Sequence, residues 1–492
     1  MTHIKLSELL EESVSLNEVL VSGLALDSRK VQKGDLFFAC QGTTLDGRRF
    51  IDDAIEKGAC AVLVDTDKTP APVAYRGSVP VISVRHLSHQ ISAIAGRFYH
   101  NPAQSMDIVG VTGTNGKTSC TYFLASVLQQ LGLPCGVIGT MGHGLYGDIQ
   151  SDGLTTPDAM SVQRILAEFK KQGVKHVAME VSSHSLSQGR VEAVPFKVGV
   201  FTNLTRDHLD YHGSMDAYGA AKKRLFEDLT IEYAVINNDD SFGQALIAEL
   251  SHKKNIIAYG LQKSTLVDSV FAEDIKLDHG ISAHVVTPGE EGELQTALMG
   301  QFNLSNVLAV LAVLGVLKIP FATALACLKN LRPVPGRMET VGGHEQPLVV
   351  VDYSHTPDSL EKALQALRLH CRGQLYCVFG CGGDRDRGKR PLMAAIAERY
   401  ADHVIVTDDN PRMEDPEQIV ADIMQGFLYP EKIIVQHDRS KAIYYSIQYA
   451  QRGDCVLIAG KGAETYQQIG ENKIPFSDVG QVREMLNARL AQ

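Results

Sequence analysis

Short apolar runs that end in a glycine or polar turn and lead into a helix recur along most of this chain. They read DIVGVTGTNGKT, CGVIGT, HVAMEVSS, VGVFTNL and YAVINND in the middle of the sequence, and LVVVDYSH, QLYCVFGCGGD, HVIVTDDNP, KIIVQHD and CVLIAGKG towards its end. This alternation predicts parallel sheets with crossover helices, which is an α/β fold. Ligands of open α/β sheets bind outside the carboxyl ends of the strands, so the loops after these runs are the candidate sites.

The length of the chain predicts more than one hydrophobic core. A single core stops growing near ~250 to 300 residues, and the chain has 492 residues. We predict boundaries in the segments FYHNPAQSMD and NLRPVPGRME, because their prolines disfavour helix continuation. The predicted domains are residues 1–99, a small α/β domain; residues 100–335, the central parallel-sheet domain; and residues 336–492, a Rossmann-like domain.

Charge and hydropathy limit the partners and the location. A net charge of -10 and an isoelectric point of about 5.9 disfavour nucleic acid as a partner. The beginning, MTHIKLSELLEESVSLNEVL, lacks the basic and apolar regions of a signal peptide, so we expect a cytoplasmic protein. The longest apolar run, Val307 to Leu317, is shorter than the ~20 residues of a membrane span. We predict a buried core helix there and no membrane span.

The segment GVTGTNGKTSC is typical of a phosphate-binding loop, because it follows a strand and precedes a helix. Backbone N–H groups and Lys117 can face phosphates, and Thr118 can reach a magnesium ion. Val111 stands where a standard loop of this kind has its first glycine. An isolated glycine turn is the alternative, but the strand, the GKT triplet and the helix together favour nucleotide binding. The candidate residues are Gly113, Thr114, Asn115, Gly116, Lys117, Thr118 and Ser119.

Several other polar residues have both a functional and a structural interpretation. Glu180 ends the run HVAME, where a carboxylate can ligate magnesium or simply be solvated. His208 in RDHLD could be a core histidine, and Lys222 in YGAAKKRLF would by itself lie on the solvated face of a helix. Asn303 and Asn306 in GQFNLSN could cap the helix that follows.

The variant loop TGTNGKT resembles that of the ATP-dependent Mur ligase family and the related folylpolyglutamate synthetases. The stretches MEVSSH, FTNLTRDHLDYHG, GQFNLSN, PGRME and DYSHTPDS agree with this resemblance over most of the chain. It implies ATP and Mg²⁺ as cofactors, catalytic roles for Lys117, Glu180, His208 and Lys222, and a monomer. It also implies that Thr118, Glu180, His208 and Lys222 lie at magnesium, with Lys222 carbamylated by carbon dioxide. The residues implied near the nucleotide are Asn203, Asn303, Asn306, Arg337 and Asp352.

The first domain is similar to the UDP-binding domain of the family members that add the third residue or the final dipeptide of the precursor peptide. The resemblance rests on LALDSRKVQKGDLFFACQGTTLDGRRF, although DSRKV could also be an ordinary turn. It implies nucleotide-sugar contacts from Leu26, Ser28, Thr43, Thr44 and Leu45. In the central domain it implies muramoyl-dipeptide contacts at Leu154, Thr155, Thr156, Ser182, Gln188 and Arg190. Leu154 departs from the asparagine that is usual there.

The segment DYSHTPDSLEKAL resembles the members that add the third residue, and DNPR, Asp409 to Arg412, resembles those that add meso-diaminopimelate rather than lysine. Diaminopimelate differs from lysine by a distal carboxylate, which Arg412 and Asn410 can bind while Pro411 fixes the turn. Implied additional contacts come from Arg385, Gly460 and Glu464, with Glu464 pairing with an ammonium. The alternative is a surface salt bridge worth only ~0 to 1 kcal/mol.

These implications predict an ATP-dependent amide ligase of peptidoglycan precursor synthesis. It would join UDP-MurNAc-L-Ala-D-Glu and meso-diaminopimelate through an acyl phosphate. The alternatives are a folylpolyglutamate or other Mur-type ligase, and a nucleotide-binding regulatory protein that has the same fold but no amino-acid pocket.

Overall fold

The computed structural model describes residues 3–10, 18–42, 45–69, 72–150, 154–277, 280–343 and 345–490. The chain divides into two compact units. The first comprises Met1–Gly110, Leu133–Gly199 and Ala221–Glu232; the second comprises Val111–Gly132, Val200–Ala220 and Tyr233–Gln492. Among the described residues, no helix has the length and hydropathy required to span a membrane.

The first unit begins with a five-stranded sheet. Its strands, in spatial order, are Gly23–Ala25, Asp35–Ala39, Ala61–Thr66, Val79–Arg85 and Ala74–Arg76. All neighbours pair in parallel except the last pair. The helices beside it are Leu6–Leu10, Ile51–Glu56 and Leu87–Phe98. Every residue of Asp35–Ala39 is buried, which is expected of a parallel strand that is covered on both faces. The α/β fold predicted for this part of the chain is confirmed.

The remainder of the first unit contains the strands that lead to its polar site. His176–Glu180 pairs in parallel with Cys135–Gly139. Gly142–Leu145 adds an antiparallel strand to the latter and continues into Asp148–Gln150. The helices here are Ala159–Lys171, which Asp158 caps, and Ser183–Ser187. The chain passes between the two units within Asp107–Thr112, after Gly132, and within Phe196–Phe201, Met215–Glu227 and Ile231–Asn237.

The second unit contains a mixed sheet. Ile231–Asn237, Asn255–Gly260 and Ser269–Lys276 pair in parallel, whereas Ile281–Val286 and Glu291–Thr296 continue the sheet in antiparallel fashion. The sequence from Ile256 to Leu298 resembles antiparallel strands, and the pairing in this region is antiparallel only from Ser269–Lys276 onwards. The helices are Lys117–Gln130, Leu209–His212, Ser241–Leu250, Gln301–Val316 and Phe321–Leu328. The predicted apolar helix is confirmed, because residues 307–314 are all buried.

A six-stranded sheet forms the last part of the second unit. Its strands, in spatial order, are Glu339–Gly342, Leu348–Asp352, Cys455–Ala459, Leu375–Phe379, His403–Val406 and Ile434–Val435. Only the first strand is antiparallel to its neighbour. The helices are Pro357–Arg368, Lys389–Tyr400, Pro416–Met424, Arg439–Tyr449 and Asp478–Leu490, and Tyr466–Ile469 forms a hairpin with Asn472–Pro475.

A fully buried ion pair connects two helices of this sheet region. Arg439 and Asp478 both have side chains with 0% exposure. Nε and Nη2 of Arg439 each donate to the Asp478 carboxylate at 2.7 Å, and Nη2 also donates to the main-chain oxygen of Ala459. Removing one partner of such a pair leaves an uncompensated charge in the core.

We expect Asp478→Ala to destabilise the C-terminal sheet region by about 3 to 5 kcal/mol. Hydrogen exchange of the amides in Cys455–Ala459 measures this free energy. The control is Glu345→Ala, which breaks an exposed pair with Arg452. In this pair the Arg452 side chain is 67% exposed and the Glu345 side chain is 75% exposed. The control should change the free energy by about 0 to 1 kcal/mol. Equal effects of the two substitutions would contradict the assigned importance of the buried pair.

Candidate active site

The predicted phosphate loop lies between the strand Asp107–Thr112 and the helix that begins at Lys117, as the sequence predicts. Its two glycines have positive φ angles, +142° at Gly113 and +89° at Gly116. A Cβ atom at Gly116 would lie 2.5 Å from Oδ1 of Asn306. The backbone conformation and the close approach of Asn306 both favour glycine at this position.

The Lys117 ammonium folds back over this loop. Its Nζ donates to the main-chain oxygens of Gly113 and Thr114, at 2.9 Å in both cases. The N–H groups at the start of the helix, together with an ammonium, favour an anionic ligand such as a phosphate. Ser119 is buried in the first turn of the same helix. The loop therefore has the electrostatic character of a nucleotide phosphate site.

Asn203 supports the middle of the loop. The Thr114 N–H donates to the main-chain oxygen of Asn203 at 2.8 Å, and the Asn115 N–H donates to its Oδ1 at 2.9 Å. Nδ2 of Asn115 donates to Oδ2 of Asp358 at 3.2 Å. In this structure Asn203 thus fixes the loop backbone, an arrangement that leaves the loop glycines in position for a ligand.

Arg337 lies beside the hydroxyl of Thr118, with Nη2 3.3 Å from Oγ1. Its guanidinium stacks 4.1 Å above the ring centroid of Tyr353, and burial raises the pKa of that phenol. Asp352 is 8% exposed and accepts a 2.7 Å hydrogen bond from the N–H of Met338. The structure therefore brings Arg337 to the phosphate loop and uses Asp352 to hold the turn beside it.

Asn303 and Asn306 lie inside the helix Gln301–Val316 rather than at its cap, which is Gly300. Nδ2 of Asn303 donates to the main-chain oxygen of Met299 at 2.9 Å, and Nδ2 of Asn306 donates to Oδ1 of Asn303 at 3.3 Å. The capping interpretation therefore does not describe Asn306. Its Oδ1 instead faces the phosphate loop at Gly116.

Glu180 ends the strand His176–Glu180 and is 1% exposed. Its Oε1 accepts from the Thr140 N–H at 2.8 Å and its Oε2 from the Thr140 hydroxyl at 3.0 Å. A Cβ atom at Gly139 would lie 2.3 Å from Oε1, so glycine makes room for the carboxylate. Each carboxylate oxygen can accept a second interaction, so Glu180 fits a hard cation such as Mg²⁺.

Five of the predicted dipeptide residues cluster next to Glu180. The Thr156 hydroxyl donates to the main-chain oxygen of Glu180 at 2.8 Å and accepts from the Ser182 N–H at 3.1 Å. Arg190 donates through Nη1 to the Thr156 main-chain oxygen at 2.6 Å. Its Nε and Nη2 donate to Oε1 of Gln188 at 2.9 and 2.6 Å. Thr155 lies 3.2 Å from the Thr140 hydroxyl, whereas Leu154 is 50% exposed.

The predicted nucleotide-sugar residues are only partly described. Ser28 is buried at the start of the 3-10 turn Ser28–Lys30, and its main-chain oxygen accepts from Nζ of Lys57 at 3.2 Å. Leu26 is partly buried and Leu45 is exposed. Thr43 and Thr44 lie outside the described residues. DSRKV does form a turn in this structure, so its geometry is compatible with both interpretations.

Asp207 organises a charged cluster that the sequence interpretation missed. Its Oδ2 lies 3.4 Å from Nε2 of His208 and 3.5 Å from Nε2 of His355, and its Oδ1 lies 4.0 Å from Nζ of Lys389. Burial opposes ionisation, but the hydrogen bond from His355 and the positive charges around it hold the pKa of Asp207 well below its usual value. These residues belong to the separate segments RDH, DYSH and GKRP, and nothing local in the sequence indicates that the three segments meet.

Lys222 is 1% exposed, on the helix Met215–Glu227. The solvated-face interpretation therefore does not apply to it. Its neighbour Lys223 is more exposed and pairs with Glu227 at 3.1 Å. Burial of a long cationic side chain is uncommon, which makes Lys222 a functional candidate.

The DNPR turn is held by a buried network around Lys461. Nζ of Lys461 donates at 2.9 Å both to Oδ1 of Asn410 and to Oε2 of Glu464, and its side chain has 0% exposure. Nδ2 of Asn410 donates to the same Glu464 oxygen at 2.8 Å, while its Oδ1 also accepts from the Gln468 N–H. Asn410 and Glu464 thus fix the turn, and Lys461 is a further residue that the sequence interpretation missed.

Arg412 projects from this turn with a left-handed backbone conformation, φ +52°. Main-chain bonds with Gln468 and Gly470 anchor it to the hairpin. Its Nη1 donates to the main-chain oxygen of Gly383 at 2.8 Å, which uses one of five guanidinium N–H donors. Arg385 is exposed on the adjacent loop and donates to the main-chain oxygen of Asp384. Two arginines therefore stand on neighbouring loops at the carboxyl ends of neighbouring strands.

The other residues predicted here are part of the support of the turn. Asp409 and Pro411 are buried on either side of Asn410. Gly460 has φ +118°, and a Cβ atom there would lie 2.4 Å from Oδ2 of Asp409. Gly460 therefore allows the Asp409 carboxylate to approach the end of the strand Cys455–Ala459.

Comparison with known sequences gives matches along the length of the chain. Residues 20–99 match the Mur ligase family catalytic domain, residues 111–314 the Mur ligase middle domain, and residues 336–462 the Mur ligase glutamate ligase domain. A protein of Coxiella burnetii (strain RSA 493 / Nine Mile phase I), named UDP-N-acetylmuramoyl-L-alanyl-D-glutamate--2,6-diaminopimelate ligase, is 50% identical over 472 residues, which are 95% of this chain and 96% of that protein. A protein of the same name from Pseudomonas aeruginosa is 50% identical over 472 residues, 96% of both chains.

Solved structures show the same architecture. A structure of a protein with that ligase name has a TM-score of 0.71 and 34% identity, and covers 99% of this chain and 100% of its own. MurF from Acinetobacter baumannii has a TM-score of 0.66 at 17% identity, with 100% and 99% coverage. The latter supports the fold alone. Together the matches confirm the predicted three-domain α/β architecture.

The geometry of the phosphate loop generates a prediction for Gly116→Ala. The new methyl would strain a positive-φ backbone and clash with Asn306, so ADP affinity measured by calorimetry should fall at least about tenfold. The control is Gly132→Ala, which has φ +71° but no atom within 4 Å of the new Cβ. It shares the backbone strain but should keep ADP affinity. An unchanged ADP affinity in Gly116→Ala would contradict the assignment of the loop.

Proposed function

Because this chain belongs to the Mur ligase family, we propose that it adds meso-diaminopimelate to UDP-MurNAc-L-Ala-D-Glu. It is an ATP-dependent ligase that forms an amide bond in peptidoglycan precursor synthesis. The choice of acceptor is carried by the DNPR turn, where Arg412 stands on a rigid support beside the loop of Arg385. The names of the relatives at 50% identity support the same acceptor.

The reaction that this proposal implies has two steps. The D-glutamate side-chain carboxylate attacks the γ-phosphate of ATP, which gives an acyl phosphate and ADP. The amine of diaminopimelate then attacks the acyl carbon, and phosphate leaves from a tetrahedral intermediate. The protein contributes mainly by positioning the reactants and by stabilising negative charge.

The proposed roles of the residues follow from their contacts. Lys117 and the helix N–H groups bind the phosphates, and Arg337 approaches the same site through Thr118. Arg190, whose guanidinium is oriented by Gln188, binds an anionic group of the muramoyl dipeptide beside Thr156. The nucleotide-sugar contacts of Ser28, Leu26 and residues 43–45 rest on the family resemblance.

Magnesium belongs to the same proposal, with Thr118, Glu180, His208 and Lys222 as its residues. The ion would neutralise charge on the transferring phosphoryl group. In the described ranges no three His, Cys, Asp or Glu side chains form a ready-made metal cluster. A carbamate on Lys222 would give the ion a second anionic ligand in addition to Glu180. The carbamate forms when a neutral amine adds to carbon dioxide and releases a proton.

We also propose the domain bounds 1–99, 100–335 and 336–492, a cytoplasmic location and a monomeric state.

The proposed acceptor is tested by phosphate release with ATP and UDP-MurNAc-L-Ala-D-Glu present. We expect release only when meso-diaminopimelate is added, and lysine should neither replace it nor compete well. Release that lysine supports equally, or release with folate and glutamate, would refute the proposal in favour of another ligase. ATP binding without any acceptor-dependent release would favour the regulatory alternative.

Arg412→Ala should raise the KM for diaminopimelate by roughly 10- to 100-fold, because it removes a charge-assisted bond to the distal carboxylate. The KM for ATP should stay within about twofold of the wild-type value. Arg452→Ala, which removes an exposed arginine from a surface pair with Glu345, is the control and should change neither value. Equal increases in both KM values for Arg412→Ala would mean that the turn does not specifically recognise diaminopimelate.

Carbamylation of Lys222 is tested with ¹³C-labelled bicarbonate. We expect a carbamate carbon resonance in the wild-type protein that is absent from Lys222→Ala. Lys223→Ala, at the neighbouring lysine whose side chain is 25% exposed, should keep the resonance. If the wild-type protein shows no such resonance in the presence of substrates and magnesium, the carbamate proposal is refuted. The proposed acceptor is not affected by that result.

A further inference from the structure

A two-pronged ion pair links the segment before His208 to the loop that carries Arg385. Nε of Arg206 donates to Oδ2 of Asp386 at 3.0 Å, and its Nη2 donates to Oδ1 at 3.2 Å. The Asp386 side chain is only 8% exposed, although that of Arg206 is 42% exposed. Bidentate geometry with one well-covered partner distinguishes this pair from ordinary surface ion pairs. The contact therefore restricts the loop.

The opposite side of the same loop is held by Glu414, two residues after Arg412. Oε1 of Glu414 accepts from the Asp384 N–H at 2.5 Å, and its Oε2 lies 3.0 Å from Nη2 of Arg387. Arg385 thus stands between two anchors. One anchor belongs to the turn that carries Arg412, and the other is the Arg206 side chain.

Gly388 provides the space through which Arg206 reaches Asp386. A Cβ atom at Gly388 would lie 2.3 Å from Nη2 of Arg206. The Gly388 N–H donates to Oδ1 of Asp386 at 2.9 Å, so the loop itself orients the carboxylate. The guanidinium is therefore fitted to the backbone of the loop as well as to its charge.

We infer that Arg206 is a positioning residue for the acceptor amino acid. By binding Asp386 it fixes the loop that presents Arg385 beside Arg412, so that the pocket for the distal carboxylate is formed before the acceptor binds. Preorganisation of this kind lowers the entropic cost of binding. The inference rests on the proposed function, and Arg206 acts through Asp386 rather than on the reacting atoms.

The test compares Arg206→Ala and Asp386→Asn in steady-state assays of phosphate release. Each should raise the KM for diaminopimelate roughly five- to tenfold, with kcat and the KM for ATP within about twofold of wild type. Asparagine keeps an oxygen for the Gly388 N–H but replaces the oxygen that accepts from Nε of Arg206 by an amide donor. Asp386→Asn therefore removes the charge and one hydrogen bond of the pair and keeps the hydrogen bond within the loop. Because both substitutions break one contact, the double variant should be no worse than the single variants.

Two further variants separate positioning from general damage. Gly388→Ala should reproduce the increase in KM, since its methyl displaces the guanidinium while both charges remain. Arg368→Ala is the matched control, because it breaks a 2.8 Å pair with Asp402 in which the arginine is 39% exposed. That pair lies at the amino end of the strand His403–Val406, whereas the loops that carry Arg385 and Arg412 lie at the carboxyl ends of the strands. Loss of the pair should therefore leave the KM for diaminopimelate unchanged.

An unchanged KM for diaminopimelate in Arg206→Ala would overturn the inference. So would additive effects of Arg206→Ala and Asp386→Asn, or an equal increase in the Arg368→Ala control. Wild-type protein that releases no phosphate with diaminopimelate would instead refute the proposed function. The two failures are therefore distinguishable in one set of assays.

Discussion

The position of the DNPR turn, Asp409 to Arg412, depends on one buried ammonium group. Nζ of Lys461, without solvent exposure, is shared between Oδ1 of Asn410 and Oε2 of Glu464. A buried charge is costly unless paired and hydrogen-bonded, so the chain must keep both oxygens in place. Because Asn410 in turn binds Gln468, the ammonium connects the DNPR turn to the hairpin that follows the strand Cys455–Ala459. The half-buried Arg412 therefore stands on a support whose geometry is fixed by a buried network.

A similar arrangement is found at two other strand ends of this protein. At the phosphate loop, the glycines and Asn203 set the backbone, so that Lys117 need only supply charge. At the end of another strand, Thr140 orients both oxygens of Glu180. In both cases a residue that follows a strand, Asn203 or Thr140, positions the group proposed to act in the reaction. Catalysis by positioning and charge stabilisation requires such pre-ordered groups.

The fold and the identity of the candidate residues could be predicted because they depend on local patterns. Alternating strands and helices indicated the sheets, and the glycine loop was recognisable from its own residues and its flanks. The connections between distant segments were not predictable in this way. Asp207, His355 and Lys389 lie in segments that are distant in the sequence, and only the folded chain brings their charges together. Lys222 reads as a solvated lysine, but tertiary packing buries it. Asn410 was identified from its motif, but its hydrogen bonds to Lys461 and Glu464 join segments about 50 residues apart in the sequence.

The central claim is that Arg412, on its rigid turn, binds the carboxylate that distinguishes diaminopimelate from lysine. The most direct measurement is a crystal structure with a non-hydrolysable ATP analogue, UDP-MurNAc-L-Ala-D-Glu and meso-diaminopimelate. The account predicts that the distal carboxylate accepts hydrogen bonds from the Arg412 guanidinium while Lys461, Asn410 and Glu464 keep their contacts. A distal carboxylate bound elsewhere, with Arg412 still donating only to Gly383, would contradict it.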